Sequence, residues 1–291
     1  MIDSVKEEVS KNREKTLSSN NAYVKSPKNI NNELRLKEII NIKFGSHRGL
    51  GSQDIRENSK KAIYRAIKKK PVFVEFDIFH CKKDDSLRLG HPPQEPFEKL
   101  EEVYTLFKNT PTYPKVDIKL SDKDNYKKII DKVIEYGILS GLNFILVNIG
   151  AYKNANQAFD SETYFCSKIK NKPQFKLNID LRRYKNCLLA KDGGETERII
   201  EKHVSKHKEN IYSVSPEINE ANWRKTAEFC KKHNIHNIGF WLRGWPDNPN
   251  PQLQKDTIIN ALNIEKQSSG LSINFDINTD KIVDKSKVGN K

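Results

Sequence analysis

The chain has 291 residues, of which 36% are hydrophobic and 31% are charged, and it carries a formal net charge of +14 at pH 7. This length is enough for one large α/β domain or two small ones, and the hydrophobic share permits a core. The charge makes an anionic membrane surface a candidate partner, but nucleic acid is not expected, because the lysines are spread along the chain and no nucleic-acid-binding module is recognisable.

The N-terminal region, residues 1–32, is polar and predicts an arm that precedes a main domain at residues 33–291. Its first residues are charged and show no apolar stretch typical of a signal peptide. The sequence also lacks the ~20 consecutive apolar residues of a membrane-spanning helix. We therefore expect a cytoplasmic protein. The four cysteines show no Cys-x-x-Cys spacing, which argues against a zinc site built on cysteine.

From residue 33 onward, apolar and β-branched segments typical of strands alternate with segments typical of helices. Eight strands are predicted, at residues 39–46, 72–79, 115–120, 144–148, 175–181, 211–216, 237–242 and 271–277. Helices are predicted at residues 59–69, 96–109, 124–136, 154–168, 195–208, 220–234 and 252–266. This alternation indicates parallel βαβ units, and eight of them predict an α/β fold of the (β/α)8 TIM-barrel type. The alternative is a doubly wound open sheet.

The connection between the second and third predicted strands, residues 80–114, is long and predicts an insertion after the second strand. It contains a hairpin or loop at residues 82–93 and one of the predicted helices. Long loops on a barrel are often functional.

The second predicted strand carries two acids, Glu75 and Asp77, two positions apart. Side chains alternate between the two faces of a strand, so these carboxylates point the same way. Their mutual repulsion is costly in a strand interior, and a divalent cation bound between them would remove that cost. The pair therefore predicts a metal site, although a solvated strand face would show the same spacing.

Further polar side chains fall at the ends of other strands, where a TIM barrel carries its active site. His47 and Arg48 end the first strand, and His91 follows the second. Asp117 and Lys119 lie on the third strand, again two positions apart. Acids, imidazole and guanidinium together suit a metal-assisted reaction on a phosphate.

These residues belong to five short motifs that follow one another along the chain. The motifs read His47-Arg48-Gly49, Glu57-Asn58-Ser59, Glu75-Phe76-Asp77, Gly90-His91 and Asp117-Ile118-Lys119. Their order and approximate spacing resemble those of the glycerophosphodiester phosphodiesterase family. The resemblance is strong over residues 42–120 and looser downstream, where Phe240-Trp241 and residues 270–276 resemble strands near the end of the family's barrel.

The resemblance implies a TIM barrel that binds Ca²⁺ or Mg²⁺ and hydrolyses a small-molecule glycerophosphodiester to glycerol phosphate and an alcohol. Carried over residue by residue, it implies that Glu75, Asp77 and Asp117 are the metal ligands.

The same resemblance implies that His47 and His91 form the acid/base pair and that Arg48 and Lys119 hold the phosphate oxygens. An imidazole suits either role at neutral pH because it titrates near ~6.5. Whether water or the neighbouring glycerol hydroxyl is the nucleophile stays open.

Three further residues are candidates for the pocket. Glu57 belongs to the second motif but could simply favour the start of a helix through its charge. Glu217 is an acid near the end of the sixth strand, and Trp241 could wall the pocket or belong to the core.

Departures from the family's pattern keep two alternatives open. Pro92 stands where an Asp usually follows the second histidine, and Asp117 stands where a Glu is usual. One alternative is a phospholipase of related barrel type that acts on lysophospholipid or sphingolipid head groups. The other is a non-catalytic barrel that binds a phosphorylated ligand. The oligomeric state cannot be predicted.

Overall fold

The structure is a computed structural model, and it describes eight stretches of the chain. They are residues 42–52, 54–91, 97–121, 124–151, 155–181, 195–215, 220–241 and 272–277. The predicted arm at residues 1–32, the predicted helix at residues 252–266, Pro92 and Glu217 lie outside the described residues.

Nine strands are described, and the eight predicted ones are all among them. They are β1 (Ile42–Ser46), β2 (Phe73–Cys81), β3 (Ser86–Leu89), β4 (Tyr113–Leu120), β5 (Ile145–Ala151), β6 (Phe175–Asp180), β7 (Ile211–Ser215), β8 (Asn237–Trp241) and β9 (Ser272–Ile277).

Six α-helices are described between these strands. They are α1 (Lys60–Lys68), α2 (Leu100–Tyr104), α3 (Tyr126–Leu139), α4 (Ala155–Ile169), α5 (Glu195–His207) and α6 (Glu220–Lys232). None of the described helices is both long enough and apolar enough to cross a membrane.

The strands form one sheet that closes on itself. Neighbours pair in the order β1, β9, β8, β7, β6, β5, β4, β2, and β1 also pairs with β2 through Gly45↔Phe73 and Ser46↔Val74. All these pairings are parallel, so the predicted TIM barrel is confirmed and the open sheet is wrong.

Alternation along the strands separates a hydrophobic outer face from a polar inner face. On β2, Val74, Phe76 and Ile78 are fully buried in the apolar layer shared with the helices. The intervening Glu75 and Asp77 therefore face the interior of the barrel. Burial beneath the helices thus orients both acids toward the same space.

Aromatic rings close the barrel interior near the N-terminal ends of the strands. Phe73 stacks on Tyr113 with ring centroids 5.8 Å apart, and Phe144 contacts both Tyr113 and Tyr212 edge to face. A Cβ at Gly45 would lie 2.0 Å from the Phe73 ring, so only glycine lets β1 pass this ring without rearrangement. We call Phe73, Tyr113, Phe144 and Tyr212 the aromatic floor.

The segment between β2 and β4 contains a hairpin, because β2 runs on to Cys81 and pairs antiparallel with β3 through Ile78↔Leu89 to Cys81↔Ser86. That this segment is an insertion relative to other barrels stays a prediction.

The helix predicted at residues 96–109 is wrong in its length. Phe97 donates its N–H to the Leu89 carbonyl, and Leu89 donates its N–H to the Glu98 carbonyl. The backbone of Phe97 and Glu98 therefore pairs with β3, and the helix begins only at Leu100.

Two predicted helix starts can be compared with the structure. The helix predicted at residues 59–69 begins at Lys60, and Ser59 caps it with its Oγ accepting the Ala62 N–H. The helix predicted at residues 124–136 begins later, at Tyr126, because the side chain of Asn125 caps α3 by accepting the Lys128 N–H.

Candidate active site

The turn after β1 is tied to the first helix by its backbone. Gly49 has a φ of 73°, and a Cβ there would lie 2.7 Å from the Ala62 carbonyl carbon. Leu50 donates its N–H to the Ala62 carbonyl over 2.9 Å. Glycine is needed both for the left-handed backbone and for this close approach. The turn therefore holds His47 and Arg48 at the end of β1.

Three carboxylates meet on the inner face of the barrel. Asp77 on β2 is in register with Asp117 on β4, and Glu75 lies two residues before Asp77. One oxygen from each of the three lies within 4.8 Å of the others, and all three residues are at least 94% buried. No other such group of acid, histidine or cysteine ligands is found in the described part of the chain. We call Glu75, Asp77 and Asp117 the acid cluster.

Glu75 contacts both predicted residues of the β1 turn. Its Oε2 lies 2.9 Å from His47 Nδ1 and accepts the Arg48 backbone N–H over 3.0 Å. The carboxylate thus orients the imidazole through Nδ1 and leaves Nε2 on the opposite side of the ring.

Asp77 is held by three side chains. Its Oδ2 lies 2.9 Å from Arg48 Nε and accepts a 2.9 Å hydrogen bond from Asn58 Nδ2. Its Oδ1 lies 2.7 Å from Lys119 Nζ, which also lies 2.5 Å from Asp117 Oδ2. Lys119 therefore bridges two members of the acid cluster.

The guanidinium of Arg48 remains charged in this environment. Burial acts to lower the pKa of Arg48, but the surrounding carboxylates outweigh burial and raise it above its ordinary value. These carboxylates are Asp77, Glu75, Glu57 and Asp117. Glu57 Oε2 is 3.9 Å from Arg48 Nη1, which places this predicted pocket residue beside the cluster.

His91 follows Gly90, which is hydrogen-bonded to β2, the strand that carries Glu75 and Asp77. Gly90, with a φ of 134°, donates its N–H to the Asp77 carbonyl over 3.0 Å. His91 itself is half-buried. Trp241 is the last residue of β8.

The residues present fit a hard divalent cation. Carboxylate oxygens are the ligands that Ca²⁺ and Mg²⁺ prefer, and three lie close enough to share one ion. Asp117 has a shorter side chain than the Glu that is usual in the family's pattern, but its oxygen still lies close to those of Glu75 and Asp77. The acid cluster could therefore hold a metal.

The sequence motifs do not predict the hydrogen bonds between Asn58 and Asp77 or the polar layer around the cluster. Asp117 is in register with Asn148, which is in register with Asn178, and both amides are buried. The sequence indicates for Asn58 only a place in a motif at a helix start. Strand alternation could have found Asn148 and Asn178, because both interrupt apolar strands.

The sequence matches no protein-family model, and no curated protein matches it. Its fold matches the solved structure of a glycerophosphodiester phosphodiesterase from Parabacteroides distasonis with a TM-score of 0.52 and 12% identity, over 85% of this chain and 99% of the other. A glycerophosphoryl diester phosphodiesterase from the same organism matches with a TM-score of 0.53 and 13% identity, over 84% of this chain and 86% of the other.

At sequence identities of 12% and 13%, these matches show only that the chains share a fold. The TIM-barrel fold that the five short motifs imply is thereby confirmed. The chain shares the TIM-barrel fold of these two phosphodiesterase structures.

Proposed function

We propose that this protein is a phosphoric diester hydrolase that cleaves a glycerophosphodiester into glycerol phosphate and an alcohol with the help of Ca²⁺ or Mg²⁺. The observation that carries the proposal is the buried acid cluster, with His47, Arg48 and Lys119 in contact with it. The two solved structures with the same fold are named as phosphodiesterases of this kind.

Glu75, Asp77 and Asp117 would hold the cation. When bound, a divalent cation supplies positive charge that neutralises the phosphodiester and helps to orient it. A phosphodiester needs such help because its anionic oxygens repel nucleophiles.

Arg48 and Lys119 would donate charge-assisted hydrogen bonds to the non-bridging phosphate oxygens. Both already contact Asp77, so their positive charges lie at the acid cluster before any substrate arrives. The Arg48 side chain is 28% exposed, which leaves part of it accessible to a ligand.

His47 and His91 would exchange protons with the reacting oxygens. Glu75 contacts Nδ1 of His47, so Nε2 is the nitrogen that would take a proton from the nucleophile or give one to the leaving oxygen. His91 would perform the complementary transfer. The nucleophile is either water or the adjacent glycerol hydroxyl, and the second choice would give a cyclic phosphate first.

Replacing His47 by Ala tests the proposal. We expect the variant to fold and to lose turnover by about 100-fold or more, because one of two proton transfers is removed. His236, which is exposed, provides a matched control, and His236→Ala should keep wild-type turnover. Full activity in His47→Ala would contradict the proposed chemistry. Phosphodiester binding without turnover in the wild type would instead support the non-catalytic barrel.

A further inference from the structure

A second lysine of β4 lies inside the barrel beneath the acid cluster. Lys115 precedes Asp117 by two residues and is 8% exposed. The neighbouring Val116 and Ile118 are fully buried in the outer apolar layer. Strand alternation therefore directs Lys115 to the inner face, which it shares with Asp117 and Lys119.

Lys115 lies between the acid cluster and the aromatic floor. It is in register with Glu75 on β2, and neighbouring strands in a sheet lie only ~4.8 Å apart. Its Nζ lies 5.3 Å from the centre of the Phe73 ring, a distance at which a cation is attracted to the ring face. The ring holds the ammonium group within the barrel.

The positive charges in direct contact with the acid cluster do not neutralise it. The acid cluster has three carboxylates, whereas Arg48 and Lys119 contribute two positive charges in direct contact with it. Lys115 adds a third positive charge on the same inner face. Unlike Arg48, whose side chain is 28% exposed, Lys115 is buried.

We propose that Lys115 is a positioning residue that acts as the fixed internal countercharge of the acid cluster and thereby limits how tightly the cluster binds a divalent cation. This inference rests on the proposed cation site but not on the proposed hydrolysis. Lys115 stabilises the three carboxylates when no divalent cation is bound. The same positive charge repels an incoming cation, because Coulomb forces act strongly over a few ångströms in a buried site.

The variant Lys115→Met tests this, because it keeps the length of the side chain and removes the charge. We expect Ca²⁺ and Mg²⁺, each titrated alone by calorimetry into the full-length protein, to bind at least about tenfold more tightly to the variant. The cation-free variant should also melt at a lower temperature than the wild type. Lys115→Arg keeps the charge and should bind both cations with wild-type affinity.

A purely structural role for Lys115 predicts the opposite change in cation affinity, since a damaged site binds cations more weakly. Unchanged or weaker binding by Lys115→Met would overturn the inference, and so would binding by neither protein. If only Lys115→Met binds a cation, the inference holds and metal-dependent hydrolysis by the wild type is contradicted. If Lys115→Met does not fold, Lys115→Gln provides the same test of the charge, with the same outcomes.

Discussion

Asn58 and Asp77 are joined by two hydrogen bonds that run in opposite directions. Asn58 Nδ2 donates to Asp77 Oδ2, and the Asp77 backbone N–H donates to Asn58 Oδ1, each over 2.9 Å. Both residues are at least 98% buried. Asn58 has a φ of 58°, a backbone conformation that asparagine tolerates better than most residues. One amide thus fixes both the backbone and the carboxylate of a proposed metal ligand.

We expect Asn58→Ala to lose cation affinity by about 10–100-fold, as is typical when a partner that orients a metal ligand is removed. The buried Asp77 N–H would also lose its acceptor, at a cost of about 1–3 kcal/mol in the free energy of unfolding. Calorimetric titration with Ca²⁺ and urea denaturation measure the two effects.

Asn109 is a matched control for Asn58, because it is exposed and has a similar φ of 60°. Asn109→Ala carries the same backbone strain but should leave cation affinity unchanged. If both variants bind cations equally well, the two hydrogen bonds of Asn58 do not position Asp77 for a metal.

Asp117→Asn should weaken Ca²⁺ or Mg²⁺ binding by about tenfold or more, because one of three negatively charged oxygen ligands becomes neutral. The exposed Asp160 on α4 provides a control of the same chemistry, and Asp160→Asn should bind cations like the wild type. Equal affinity in Asp117→Asn and the wild type would remove Asp117 from the proposed ligand set.

Much of this site follows from patterns that are local in sequence. Alternation along β2 and β4 is sufficient to predict that Glu75, Asp77 and Asp117 face the barrel interior. Eight strands that alternate with helices are sufficient to predict how β2 and β4 become neighbours. Local patterns cannot show the bonds of Asn58, because its partner Asp77 lies 19 residues away in the chain. Alternation along β4 also directs Lys115 to the inner face, but its contact with the Phe73 ring depends on the pairing of β4 with β2.

The predicted helix at residues 96–109 is too long because its first residues have another backbone partner. Its residues have an apolar spacing typical of a helix, yet Phe97 and Glu98 use their backbone groups to pair with Leu89. A competing partner that is nearby in space but not in sequence outweighs local helix propensity. The roles of Glu217 and Trp241 in the pocket stay predictions.

The turn that carries His47 and Arg48 should depend strongly on Gly49. We expect Gly49→Ala to lower the free energy of unfolding by about 3 kcal/mol, because it adds left-handed backbone strain and a clash with α1. Gly141 has a similar φ of 65°, but a Cβ added there would meet no atom within 4 Å, so Gly141→Ala should cost only about 1 kcal/mol. Urea denaturation compares the two variants, and equal losses would exclude the clash.

His207 should make the free energy of unfolding of the protein depend on pH. Burial, together with nearby His203 and Lys206, lowers the pKa of His207 to about 4 from its ordinary value of 6.5. Between these pH values the unfolded chain binds a proton at this position and the folded protein does not. The free energy of unfolding should therefore decrease as the pH falls from about 6.5 to about 4.

His207→Gln should show a shallower decrease over this range, because the variant has no imidazole to protonate in the unfolded state. Urea denaturation at several pH values measures the slope, and the exposed His236→Gln serves as the control with a wild-type slope. An unchanged slope in His207→Gln would show that another group titrates on unfolding.

The most direct test of the proposed function is the release of glycerol phosphate from a panel of glycerophosphodiesters, and of the head-group alcohol from a lysophospholipid, measured with Ca²⁺, with Mg²⁺ and with chelator. We predict release that depends on one of the two cations, stops with chelator and is strongest with a glycerophosphodiester. Release from the lysophospholipid alone would instead support the phospholipase. No release from any substrate by the folded protein, with either cation, would contradict the account.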